Sequence, residues 1–136
     1  MIVEVKVLAL AALWQYVQFV LMAVPVNKEL GTDKTLSSRD AQKLGGSIQS
    51  QVTARTARLI RALENHFEAL ILFTIAVVAV ALSGQSSAVT VSCAWIYLAS
   101  RVVYVAAYAF DWVPWRSLIW AAGFGATAIM LIAVII

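Results

Sequence analysis

Two sets of polar residues share a helical spacing in a chain that is otherwise mostly apolar. Arg61, Asn65 and Glu68 stand at i, i+4 and i+7, and Arg101, Tyr104 and Tyr108 at i, i+3 and i+7. At ~100° per residue, each set falls within about 60° on one helix face. Arg58 continues the first face. Together the two faces offer guanidinium and phenol donors, an amide and one carboxylate. Arginine's planar fork binds carboxylates in a bidentate way. A cleft lined by such groups suits a small, multiply charged anion.

The elements that must carry these faces follow from composition. Of 136 residues, 62% are hydrophobic and 12% charged; a soluble domain averages roughly 25% charged. A chain this short cannot hide so much apolar surface from water, but lipid can act as its solvent. Four apolar stretches run from about Val3 to Val24, Leu59 to Leu82, Ala88 to Phe110 and Leu118 to Ile136. Each is near the ~20 residues that a helix needs to cross the hydrocarbon core. Backbone groups in lipid must be satisfied internally, which favours helices over open strands. The sequence therefore predicts an all-α integral membrane protein, a four-transmembrane-helix bundle forming one domain over residues 1–136. The helices are expected near 3–24, 55–82, 88–112 and 116–136, with a loop over 27–54. The pattern from Ile48 to Arg58 suggests that the second helix extends into that loop. The first span begins with Glu4 and shows no clear small-x-small cleavage site, so it reads as a mature helix rather than a signal peptide.

Spans two and three are antiparallel, so depths can be compared. With boundaries near Ala57 and Trp112, Glu68 and Arg101 each lie roughly eleven residues, or ~16 Å, from the loop side. Asn65 is then level with Tyr104, and Arg61 with Tyr108. A charge at such depth costs about 2.5–3.5 kcal/mol even on the lenient insertion scale, so it should face the bundle interior or a wet cavity. Glu68 and Arg101 are the expected ion pair.

The other polar and reactive residues say less. Lys28, Lys34, Arg39, Lys43, Arg55 and Arg58 make the long loop basic, whereas Gly84-Gln85-Ser86-Ser87 carries no charge. The positive-inside rule puts the 27–58 loop in the cytoplasm, together with the turn from Asp111 to Arg116. The net charge of +3 is thus a topology signal. Bases confined to one loop beside a membrane argue against a nucleic-acid partner. Cys93 is the only cysteine; it permits no internal disulfide, builds no metal set and reads as a small buried hydrophobe. His66, Gln15 and Gln18 read as packing residues. Ala121-x-x-x-Gly125 and Ala122-x-x-x-Ala126 would allow close helix approach.

The run from Arg61 to Phe73 resembles the second-helix signature of the MAPEG family, Arg-Ala-x-x-Asn-x-x-Glu followed by an apolar stretch. Arg101-x-x-Tyr104-x-x-x-Tyr108 is similar to the family's third-helix motif, and Pro114-Trp115-Arg116-Ser117 to the Pro-x-Arg that follows it. The resemblance covers all four spans in order. It implies a homotrimer with glutathione in clefts between subunits, contacted by Arg61, Asn65, Glu68, Arg101, Tyr104 and Tyr108. It assigns Arg116 the catalytic task of holding the glutathione thiol as thiolate. The implied activity is a membrane-bound glutathione S-transferase, with peroxidase-like chemistry, acting on lipophilic small molecules. The alternative is a non-catalytic protein of the same fold that binds a membrane lipid or a partner. Arg116 follows Tyr108 by one residue fewer than the family's prostaglandin synthases suggest, and the loop has no close match there. A compact member in a bacterial inner membrane is the expectation.

Overall fold

The computed structural model describes residues 2–40, 42 and 45–136. Lys43 of the basic loop lies outside the described residues. The described elements are α1 (Val3–Leu30), α2 (Thr32–Thr35), α3 (Ile48–Gln51), α4 (Ala54–Ser83), α5 (Ala88–Ala109) and α6 (Trp115–Ile135). Among them, α1, α4, α5 and α6 are long and apolar enough to cross a membrane. α1 and α6 each pack against both α4 and α5, which form the centre of the bundle.

Local chemistry sets the helix ends. The Thr53 side chain caps α4 by accepting from the Thr56 amide at 3.3 Å. The preceding Val52 is extended, at φ −104° and ψ 167°. The turn from Ile48 is therefore separate from α4, not the continuous extension that its pattern suggested. At the far end Gly84, left-handed at φ 67°, closes the helix. Ser87 and Thr90 exchange hydrogen bonds in a capping box that starts α5.

α1 runs to Leu30, past Pro25 and beyond the end of the apolar stretch. Proline removes one helical donor but does not forbid continuation. Just beyond it, the Asn27 side-chain amide donates to the Ala23 carbonyl at 2.8 Å. The apolar run marks where lipid ends, and this helix goes further. α5 stops at Ala109, where Asp111 turns the chain with φ 57°.

The core joins all four long helices. Val7 and Ala11 meet Phe73, Ala76, Val77 and Val80, with Cys93, Ala94 and Tyr97 opposite and Ala126 and Met130 completing the cluster. Phe73 and Tyr97 stack with ring centroids 3.9 Å apart. α6 approaches α5 at Gly123, where a Cβ would collide with the Ser100 hydroxyl. The close contact thus falls at Gly123 and Ala126. Of the anticipated small residues, Ala121 and Ala122 are exposed, and Gly125 faces open space.

Two glutamates fasten α1 at its ends. Glu4 is fully buried. Its carboxylate accepts from Ser86 Oγ at 2.9 and 3.0 Å and from Thr90 Oγ1 at 2.5 Å. Glu29 accepts from the Thr53 amide at 2.6 Å and from the Thr56 hydroxyl. Each carboxylate therefore sits at the N-terminus of another helix, α5 for Glu4 and α4 for Glu29. Unpaired amides and the helix dipole favour negative charge there.

Candidate functional site

Asn65, Glu68, Arg101, Tyr104, Tyr108 and Arg116 line one cleft, with α4 and α5 on one side and α6 on the other, and Arg61 reaches it through Tyr108. Its deeper part is a cavity of about 150 Å³ bordered by Asn65, Glu68, Tyr97, Arg101 and α6 residues including Trp120. Its shallower part, about 200 Å³, is bordered by Asn65, Tyr104, Tyr108, Arg116, Ser117 and Trp120. Asn65 and Trp120 belong to both, so the two parts adjoin.

Tyr108 is the hub of the shallow part. Arg61 Nε donates to its hydroxyl at 3.0 Å, and the Arg61 guanidinium carbon lies 5.7 Å from the ring centroid. The Arg116 guanidinium lies over the same ring at 4.8 Å. The ring's negative face attracts both cations. Tyr104 meets Tyr108 edge-on at 5.5 Å. Arg116 stands in the first turn of α6 and is half-buried, whereas Arg61 is exposed on α4. Next to these groups, Arg58 Nε donates to the Ala109 carbonyl at 3.2 Å, tying the loop-side ends of α4 and α5 together.

The deep part differs from expectation. Arg101 is 2% exposed, with its guanidinium 4.6 Å from the Tyr104 ring centroid. Its Nε and Nη2 have no hydrogen-bond partner among the described residues. Glu68 borders the same cavity but is exposed, and among the described residues it makes no ion pair with Arg101. The anticipated Glu68–Arg101 bridge is therefore not formed within the chain. Matching depth put the two residues level. It did not foresee that Arg101 turns beneath an aromatic ring while Glu68 stays at the cleft's edge. Asn65 Oδ1 and the Tyr97 hydroxyl are also buried without a partner. The cavity thus presents cationic donors, a phenol and an amide acceptor to a ligand. It suits an anion that also carries its own donors, because buried polar groups need partners.

The spacing argument missed the α6 wall and the deepest α5 residue. Tyr97 lies one turn before Arg101 on the same face, and that extension was available as a signal. Trp120, one turn after Arg116, stacks on Phe124 at 4.8 Å. Both look like ordinary members of an uncharged span, so nothing in the sequence separates them from lipid-facing residues.

The remaining polar residues lie elsewhere. His66 is fully buried against α1, its Nε2 3.2 Å from the Ala11 carbonyl. Gln18 is buried too, but its amide has no partner among the described residues. Glu64 accepts from Gln49 Nε2 at 3.3 Å. Cys93 is buried in the core.

With this geometry in place, comparison with known families is specific. The sequence model of the MAPEG family matches residues 7–136, essentially the whole chain. No curated protein and no solved structure matches it.

Proposed function

The chain belongs to the MAPEG family, an integral multi-pass membrane protein of the glutathione and eicosanoid metabolism type, and from that premise we propose that it conjugates glutathione to lipophilic electrophiles. The observation that carries this reading is the convergence of Arg61, Arg101 and Arg116 on one cleft, with Arg101 nitrogens that have no hydrogen-bond partner among the described residues. Glutathione carries two carboxylates, an ammonium, two amides and a thiol. The cationic donors suit the carboxylates, Glu68 suits the ammonium, and Asn65 suits an amide. The Tyr104 and Tyr108 rings set the position of the guanidinium groups.

The chemistry asked of the protein is modest. A guanidinium beside the thiol stabilises the thiolate and raises the nucleophilic fraction near neutral pH. Arg116 suits this role because it lines the shallow part of the cleft together with Trp120. The thiol proton passes to solvent. The sulfur lone pair forms a carbon–sulfur bond to the electrophile, whose leaving group departs with the displaced electron pair. Trp120 and Phe124 offer an apolar wall from which a membrane-dissolved substrate would approach.

Two further features belong to this proposal. The assembly is a homotrimer, in which a neighbouring subunit would cover the exposed side of Arg61 and Glu68. The membrane is a bacterial inner membrane, with the basic loop cytoplasmic.

Calorimetry of the detergent-purified protein with glutathione, followed by a conjugation assay with 1-chloro-2,4-dinitrobenzene, tests the reading. Saturable binding and turnover above the uncatalysed rate are expected. Binding without turnover would favour a non-catalytic role for the same cleft. No binding at all would remove the glutathione reading and leave a lipid- or partner-binding protein.

A further inference from the structure

We propose that the pocket between α1, the loop and α4 binds an anionic phospholipid of the loop-side leaflet, with its phosphate at Arg39 and one acyl chain in the α1–α4 groove. The pocket has a volume of about 700 Å³. Its floor is apolar: Phe19, Met22 and Val26 stand at i, i+3 and i+7 on α1, and Ile60 faces them from α4. It is separate from the cleft, so the inference does not depend on the glutathione reading.

The rim selects charge. Asn27 is already committed, donating to the Ala23 carbonyl and accepting from Thr35 Oγ1 at 2.6 Å. Arg39 is the one charged residue among the described lining residues. Its backbone is left-handed, at φ 61°, and its Nε donates to the Thr35 carbonyl at 2.7 Å. That bond fixes the side chain, and the two terminal nitrogens make no protein hydrogen bond among the described residues. A held guanidinium with two free nitrogens is a fork for phosphate oxygens. No carboxylate stands among the described lining residues to oppose an anion.

The pocket's depth points to a lipid rather than a free ion. Below it, the groove continues as a space of about 330 Å³ lined by Gln15, Tyr16, Leu63 and Phe67, and Phe19 borders both. From Gln15 to Asn27 the helix rises ~18 Å at ~1.5 Å per residue. That is close to the ~15 Å half-thickness of a ~30 Å hydrocarbon core. Inorganic phosphate would leave this length of apolar surface unmatched. Basic pockets beside transmembrane helices on the positively charged side are known to hold anionic head groups.

The test uses the full chain, purified, stripped of lipid and returned to bilayer nanodiscs of phosphatidylcholine and phosphatidylglycerol. Native mass spectrometry then reads which lipid each chain retains. Wild type should retain phosphatidylglycerol with about tenfold enrichment over the bulk ratio, a preference of ~1.4 kcal/mol. Arg39→Asn keeps a residue that tolerates the left-handed backbone and should return retention to the bulk ratio. Ala23→Phe, which fills the pocket, should lower retention of both lipids. Lys28→Gln changes an exposed charge at the same end of α1 but outside the lining, and should preserve the enrichment. Enrichment that survives Arg39→Asn would overturn the proposal. Loss of equal size in Lys28→Gln would overturn it too, by showing diffuse surface charge at work. Displacement of the lipid by excess inorganic phosphate would reassign the pocket to a free anion. Should Ala23→Phe fail to fold, the Arg39 and Lys28 variants still decide.

Discussion

α4 carries polar side chains on two faces, and they have opposite surroundings. Toward α1, His66 is fully buried, with its Nε2 3.2 Å from the Ala11 carbonyl. Toward α5 and α6, Asn65 borders open volume and shares it with the unsatisfied nitrogens of Arg101. These are neighbouring residues at similar depth, yet His66 is enclosed and Asn65 borders open volume. Polarity within a membrane span therefore does not by itself mark a ligand site. Polarity facing unfilled space does.

Four substitutions can break or sharpen that contrast. The largest effect should come from Arg116→Ala, which should lower kcat by about a hundredfold while glutathione still binds, since removing one stabilising charge of this kind costs ~10²–10³ in rate. The thiolate absorbance at the ultraviolet edge should fall in parallel. A variant retaining both the signal and the wild-type rate would refute the assigned role.

Arg101→Met should weaken glutathione binding roughly 10- to 100-fold, as loss of a charge-assisted contact of ~1.5–3 kcal/mol implies. It should not lower the unfolding midpoint, because a buried cation without a carboxylate partner is replaced by an apolar chain of similar length. Clear destabilisation in a detergent unfolding series would mean that Arg101 is a structural member after all. On the α1-facing side, His66→Leu should cost about 1 kcal/mol of stability through its lost hydrogen bond. Calorimetry should show its glutathione affinity unchanged; a large affinity loss would erase the distinction between the two faces.

The smallest effect concerns Glu68. With no ion pair to Arg101, Glu68→Gln and Arg101→Met should be additive in stability within about 0.5 kcal/mol. Strong coupling in ligand-free protein would show that the two residues do meet.

The four spans were legible because each is a long apolar run and lipid tolerates few alternatives to a helix. Their ends were less legible. α1 continues past Pro25 because a proline removes only one helical donor, and α4 begins after Thr53 because the Thr53 hydroxyl caps it and interrupts an otherwise helical pattern. The α4 and α5 walls of the cleft could be read from spacing, since charged and aromatic residues at i, i+3 or i+4 and i+7 stand out in an apolar span. The α6 wall could not, because Trp120 and Phe124 are what lipid-facing helices also carry. Nor could the orientation of Arg101 be read, because depth fixes which residues are level and not which way each side chain turns. The Glu4 contacts join residues 82 and 86 positions apart, and no local pattern announces them.

Those contacts have a mechanical consequence. Glu4 and Glu29 are 25 residues apart on one helix, ~38 Å at a rise of ~1.5 Å per residue, and each is fastened to the start of a different neighbour. α1 is a strut of set length bolted at both membrane surfaces. It cannot slide along the bundle to suit a thinner bilayer without releasing one bolt. Thickness mismatch is ordinarily absorbed by tilt, at fractions of a kcal/mol per Å; here the bundle must tilt as one body or the bilayer must deform around it.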